Sequence, residues 1–508
     1  MLFNSITYLF IFLPAVALLN WGLPDRLRLW LILLASLAFY GFWRIEFVPL
    51  LLFSAALDYV LALWIESTKI QTRRRKIMLG SVAVNLAILG VFKYLLFFRD
   101  TLWSISGWLG YQPSFVDLYV VLPLGISFYI FATISYVIDV YRREFKAERN
   151  FIVYCNFVVF FPHLVAGPIL RARSLIPQLR RPAKVTWIDV NSGVSRILQG
   201  LFLKVVLADT IAGYVDGGFA RDAYTLTALD AWTLAFLFGF QIYFDFAGYS
   251  HIAIGSARLF GIVLPENFNF PYLATSPRDF WQRWHISLST WIRDYVYLPM
   301  VGNVNSAAAY GPGGPPPESE VKKTTSTARE SQRTFSLYGT WALMGLWHGA
   351  NWTFALWGIY HAVLVHGYRL VTSKMSWNRG AAAISWTREA AANWVSRAIT
   401  FPLIMAGWIP FRTQSIGEAL VMWGKMLDPS AYWGFRLAPD SYFLAVALPP
   451  CMVLCWLVWT LILPWFKQIQ NPVVGLLVVP AQVLSYCLLI MFDLVFLQAN
   501  RQFIYFQF

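Results

Sequence analysis

The sequence predicts an all-α, polytopic membrane protein, and three observations carry that prediction. Of its 508 residues, 58% are hydrophobic and only 13% charged, against about 25% charged in an average soluble protein. Many separate apolar runs approach or exceed the ~18 residues that mark a transmembrane helix. Lys and Arg gather in short clusters between runs, as they do in cytoplasmic loops. The net charge of +14 therefore reads as topology and not as nucleic-acid binding, for which no soluble basic domain is present. A chain this apolar is not disordered. We expect one integral membrane domain over residues 1–508.

The elements follow in order. MLFNSITYLFIFLPAVALLNWGLP lacks a basic leader and a small-residue cleavage site, so it is expected to stay as a first helix. Spans are predicted at 6–22, 29–43, 47–65, 78–98 and 119–140. Arg26 and Arg28 follow the first span, and Lys69, Arg73, Arg74, Arg75 and Lys76 follow the third. Both clusters are cytoplasmic if the N-terminus faces outward. The loop after 98 carries Trp and Tyr suited to a membrane interface, and YRREFKAER after the fifth span returns to the cytoplasmic side.

Residues 151–170, FIVYCNFVVFFPHLVAGPIL, are apolar but broken by Pro162, Gly167 and Pro168, with arginines on both flanks. A full crossing would put one basic cluster outside, so a re-entrant segment is expected. Such backbone is tolerated in a membrane only inside protein or beside a water-filled cavity. Later runs at 200–216, 227–258, 335–368, 397–411, 441–466 and 472–498 bring the expectation to roughly ten to twelve membrane segments, some re-entrant. Residues 303–333, rich in Gly, Pro, Ser and Thr, read as a flexible inserted loop. Cys155, Cys451, Cys455 and Cys487 have no metal or redox spacing and read as small core residues, with acylation open at Cys451 and Cys455.

Candidate chemistry centres on histidine. All six (His163, His251, His285, His348, His361, His366) lie in or beside apolar runs, where ionisable residues are expensive and mark function. Packing through a hydrogen bond is the competing reading for each. His348 stands among Gly345, Gly349, Ala350 and Asn351, small residues that let a backbone or a ligand approach. An imidazole in such a setting suits a general base. In FWQRWHISLSTWIRDYVYLPM, spacing at 100° per residue puts Trp281, Trp284, Leu288, Trp291 and Tyr295 on one stripe. His285 falls at its edge beside Ser289 and Ile292, with Arg283, Asp279 and Asp294 away from it. The expectation is one interfacial amphipathic helix.

Other chemistries lose their markers. There is no H-E-x-x-H, and His361 and His366 lie about 140° apart on a helix, so no metal site is expected. There is no G-x-S-x-G elbow, P-loop or dinucleotide fingerprint. Gln241, Asp245, Ser250, Thr133, Ser135 and Asp139 are polar groups inside apolar runs, read mostly as bridges between helices.

FWQRWHISLSTWIRDYVYLP followed by LWHGANWTFALWGIYH resembles the membrane-bound O-acyltransferase family, in its bacterial alginate O-acetyltransferase (AlgI-like) branch. LPLGISFYIFATISYVIDVYR, FFPHLVAGPILR, QIYFDFAGYSHIAIG and the terminal FIYFQF extend the resemblance over nearly the whole chain. The resemblance implies a ring of helices around a tunnel across the bacterial inner membrane. It implies His348 as the catalytic residue, with His285 facing the same cavity, and Trp284, Ser289, Arg283, Asn351 and Asp245 as candidate lining. It implies no cofactor, with acetyl-CoA as the acyl donor. An extracytoplasmic SGNH-type partner and the polysaccharide export machinery would take the acetyl group on to a polymer such as alginate. Arg278, Arg283 and Arg293 are candidates to attract the donor's phosphates, although topology and anionic lipid explain such arginines equally well. Acetylation of cellulose or peptidoglycan, D-alanyl transfer to teichoic acid, and a transporter with broken helices stay open as alternatives. The insert after Gly302 and Asn303 departs from the branch's pattern and bears on partner or donor entry.

Overall fold

The computed structural model describes residues 1–111, 119–165, 167–302, 326–374, 386–462 and 472–497. Among the described residues every regular element is helical. The helices are α1 (Leu13–Gly22), α2 (Asp25–Gly41), α3 (Val48–Ser67), α4 (Gln71–Leu89), α5 (Leu95–Trp108), α6 (Ile126–Arg142), α7 (Phe151–Val159), α8 (Phe161–Leu164), α9 (Ala172–Arg180), α10 (Trp187–Leu201) and α11 (Asp209–Phe219). They continue with α12 (Ala228–Arg258), α13 (Pro277–Arg283), α14 (Ile286–Ile292), α15 (Leu298–Met300), α16 (Ser326–His348), α17 (Trp352–Lys374), α18 (Trp386–Arg412), α19 (Ile416–Leu427), α20 (Pro439–Leu457) and α21 (Pro472–Phe496). Among the described residues four helical runs are long and apolar enough to cross a membrane: Ile45–Ser67, Gln71–Trp108, Trp187–Phe219 and Pro439–Thr460.

The 31-residue α12 is buried nearly all round, as a helix apolar on every face should be. It packs on α10, α11, α18, α19 and α20. Its crossing with α10 is made by glycine. A Cβ on Gly200 would lie 2.6 Å from the Gly248 carbonyl oxygen, and one on Gly193 would lie 2.9 Å from that of Gly255. The backbones touch at two points seven residues apart on each helix, which only small residues permit. Polar bridges hold other pairs: Asp58 on α3 accepts from Ser81 and Asn85 on α4 at 2.6 and 2.8 Å, and Thr133 on α6 donates to Asn85 at 3.4 Å.

The broken segment behaves as its prolines and glycine predict. α7 has nine residues, about 14 Å of helix, and the chain breaks at Phe160 before the four-residue α8. Arg180 after it pairs with Glu148 before it at 2.6 Å. Arg142 and Arg171, also from opposite flanks, lie 5.4 and 5.2 Å from the ring of Tyr295. Both basic clusters therefore end at one end of the fold.

Several expectations need correction. The apolar run 335–368 is two helices, α16 and α17, because the chain turns at Gly349–Asn351. The stretch 277–297 is not one helix. It breaks at His285, whose φ of 41° is left-handed, and ends in a π turn, Arg293–Tyr297. The stripe of Trp281, Trp284, Leu288 and Trp291 is nevertheless buried. Asp294, expected on the polar face, is 2% exposed and bridges Arg171 and Arg293, each at 2.7 Å. Cys155 is buried, but Cys451, Cys455 and Cys487 are exposed on α20 and α21 and are not core residues. Residues 326–333 of the expected loop are helical; 303–325 lie outside the described residues, as do 463–466, 498 and the terminal FIYFQF.

Candidate active site

His348 closes α16. It is 4% exposed and ringed by Trp347, Trp357 and Phe411 at centroid separations of 4.9, 5.0 and 5.4 Å. The small residues around it let backbone approach. A Cβ on Gly345 would collide with the Phe354 carbonyl, one on Gly358 with the Trp341 carbonyl, and one on Gly349 with the Phe354 ring. α16 and α17 therefore fold onto each other in direct contact, and the tight turn leaves the imidazole at the helix end. Asn351 Oδ1 accepts from Thr353 N at 3.0 Å, and its Nδ2 donates to the Gln414 carbonyl at 3.2 Å.

A cavity of about 110 Å³ reaches His348. Its wall is the segment Leu122–Phe128, with Lys93, Val165 and Trp347. The place of this cavity in the fold follows from helix lengths. Lys93 lies about 33 Å along the helix that starts at Gln71, and His348 a similar distance from Ser326. The basic clusters sit near the starts of both helices; Gln332 Nε2 near the start of α16 donates to the Met300 carbonyl at 3.1 Å. The cavity is thus at the end of the fold opposite the basic clusters of residues 69–76 and of the flanks of the broken segment.

His285 is fully buried at the break between α13 and α14. Asn267 makes the break by pairing with the backbone beyond it: its carbonyl oxygen accepts from Ile286 N at 3.0 Å, and its Oδ1 accepts from Ser287 N at 3.2 Å and Ser287 Oγ at 2.9 Å. Ser287 Oγ in turn accepts from Ile169 N at 2.9 Å, tying the broken segment to the kink. The His285 ring meets Phe246 edge-on at 4.5 Å and Trp347 at 6.1 Å. The Trp347 ring is therefore the shared neighbour of the two imidazoles, held by stacking on Phe131 at 5.3 Å, which stacks on Trp291 at 4.0 Å.

The other candidates lie elsewhere. None of Trp284, Ser289, Arg283, Asn351 and Asp245 lines the cavity. Trp284 packs on Trp408 at 4.9 Å. Ser289 Oγ donates to the Trp284 carbonyl at 3.2 Å across the break. Arg283 pairs with Asp279 at 2.7 Å, and Asp245 with Lys204 at 2.6 Å. Arg278 is exposed. His163 bonds the Phe157 carbonyl at 3.2 Å and His366 the Tyr338 hydroxyl at 3.2 Å. His361 is enclosed by Trp281 and Trp357, each at 5.0 Å, and neither ring nitrogen has a hydrogen-bond partner among the described residues. Among the described residues no three His, Cys, Asp or Glu side chains converge as metal ligands.

Two participants were missed in the sequence. Lys93 carried a signal, a lone cation in the apolar run VFKYLLFF. Asn267 carried none, since its pairing with the kink is a tertiary contact.

The comparisons agree with this architecture. Residues 29–310 match the membrane-bound O-acyltransferase family, a stretch that includes His285 and stops before His348. The chain is 39% identical over 430 residues to the alginate O-acetylase AlgI of Pseudomonas putida, covering 84% of this chain and 80% of that protein. It is 32% identical over 454 residues to the peptidoglycan O-acetyltransferase of Helicobacter pylori, covering 83% and 78%. It is 30% identical over 279 residues to the teichoic acid D-alanyltransferase of Bacillus subtilis, covering 53% and 63%. With its helical, apolar architecture, this protein is an acyltransferase of the membrane and belongs to the membrane-bound O-acyltransferase family.

Proposed function

We propose that the protein takes an acetyl group from acetyl-CoA on the cytoplasmic side of the bacterial inner membrane and passes it outward for O-acetylation of an exported polysaccharide. The observation that carries this reading is the cavity against His348 at the end of the fold opposite the basic clusters. By the positive-inside rule that end is extracytoplasmic, so an acceptor hydroxyl enters from outside. Thioester transfer needs a base and no metal. His348 takes the proton of the attacking hydroxyl as its oxygen adds to the thioester carbonyl. Collapse of the tetrahedral intermediate breaks the C–S bond, and the proton passes to the departing thiolate. The products are an O-acetyl ester and free CoA.

His285, across Trp347, orients the thioester or stabilises its oxyanion in this reading. The arginines at the opposite end attract the donor's phosphates. Roughly ten to twelve membrane segments, with the broken 151–170 segment re-entrant, would enclose the path. An SGNH-type extracytoplasmic protein and the export machinery would receive the acetyl group. Alginate is favoured as the polymer because the alginate acetylase relative has the higher identity and coverage; D-alanyl transfer is the lesser reading on the same grounds. The test is a chromosomal His348→Ala variant at wild-type membrane levels. Loss of polymer acetyl content supports the reading, and unchanged acetyl content overturns it.

A further inference from the structure

The last carbonyls of a helix have no partner within it and must find one elsewhere. At the end of α16 they find it on another helix. Tyr94 Oη donates to the Leu346 carbonyl at 3.0 Å, and Lys93 Nζ donates to the Trp347 carbonyl and, at 3.4 Å, to that of His348. Both donors sit in the π turn Gly90–Tyr94 that joins α4 to α5, a feature frequent at functional sites. Lys93 is 5.8 Å from the Trp347 ring centroid and borders the cavity that His348 borders.

A lysine inside an apolar run is expensive, and no ion pair accounts for this one among the described residues. A cation at a helix C-terminus complements the helix dipole. Of the three ammonium N–H groups, two are taken by the carbonyls on either side of the His348 Cα, those of Trp347 and His348. We propose that Lys93, with Tyr94, is a positioning residue for His348: a cap supplied from a second helix that fixes the end of α16 and so the direction from which the imidazole meets the cavity. This rests on the reading of His348 as the base. Small displacements of a catalytic group lower rates by up to ~100-fold, so the cap acts on turnover.

The test uses inverted membrane vesicles of the native host carrying chromosomal variants of the full chain, with radiolabelled acetyl-CoA as the probe and ester-linked label in polymer as the readout. Lys93→Met is expected to lower kcat per folded molecule at least about ten-fold, with KM for acetyl-CoA within about two-fold. Lys93→Arg, which keeps charge and donors, is expected to restore most of it. Tyr94→Phe, which removes one of the three bonds, is expected to fall between. A Lys93→Met protein that loses only thermal stability, with kcat per folded molecule unchanged, overturns the proposal, as does failure of Lys93→Arg to rescue. His348→Ala run in parallel separates the two claims. If it keeps its activity, the base assignment fails; if it loses activity while Lys93→Met does not, the positioning role alone fails.

Discussion

The ammonium of Lys93 donates to the backbone carbonyl of His348 across 255 residues of sequence, joining the end of one helix to a turn in the middle of another. That link, the Gly345–Gly358 contact and the Asn267-bound kink put two histidine motifs beside one tryptophan. Each feature makes a measurable prediction.

The cavity at His348 is small, and Ser127 lines it. Ser127→Leu should fill much of it without touching either imidazole. Acetylation of the exported polymer should fall several-fold, while binding of acetyl-CoA, measured by isothermal titration on purified protein, stays unchanged. Equal losses of both would mean that the cavity is not an acceptor route.

At His285 the backbone sets its own rule. A φ of 41° is tolerated by Asn and strongly disfavoured for β-branched side chains. His285→Asn should keep wild-type thermal stability and lose transfer activity. His285→Ile should lose about 1–3 kcal/mol of stability from strain alone. A thermal unfolding series in detergent that ranks Ile equal to Asn would contradict the strained kink.

Gly200 and Gly248 place two backbones in contact. Gly200→Leu should destabilise the protein by about 1–3 kcal/mol or more through overpacking, seen as a lower midpoint in detergent unfolding. Gly213, whose Cβ direction is open, is the control: Gly213→Ala should leave the midpoint unchanged or raise it.

Lys204 is 2% exposed and pairs with Asp209 and Asp245 at 2.8 and 2.6 Å. Lys204→Met leaves two carboxylates without that cation and should cost about 3–5 kcal/mol. Lys204→Met with Asp245→Asn should recover part of the loss, because one buried charge has gone. A double variant no better than the single would show that the pair does not act as a unit.

The sequence carried the helices because lipid-facing and core-facing helices share one signal, a long apolar run. It carried the broken segment because Pro162 and Gly167 interrupt that run visibly. It hid the kink at His285, since the tryptophan stripe fits an unbroken helix and the pairing that breaks it comes from Asn267. It ran α16 and α17 together because the turn between them is only three residues long, Gly349–Asn351, and Gly349 and Ala350 lower hydropathy little. Asp245 was legible as a polar bridge from its place in an apolar run, but its partner Lys204 lies outside its helix and is invisible to local reading.

Outward acetyl transfer through His348 is tested most directly in sealed vesicles of uniform orientation. Radiolabelled acetyl-CoA is supplied only on the side of the Lys69–Lys76 basic cluster, and label is counted in ester linkage to polymer on the other side. The account predicts label across the membrane with wild-type protein and none above background with His348→Ala. Transfer that persists in His348→Ala, or that requires donor on the cavity side, would contradict it.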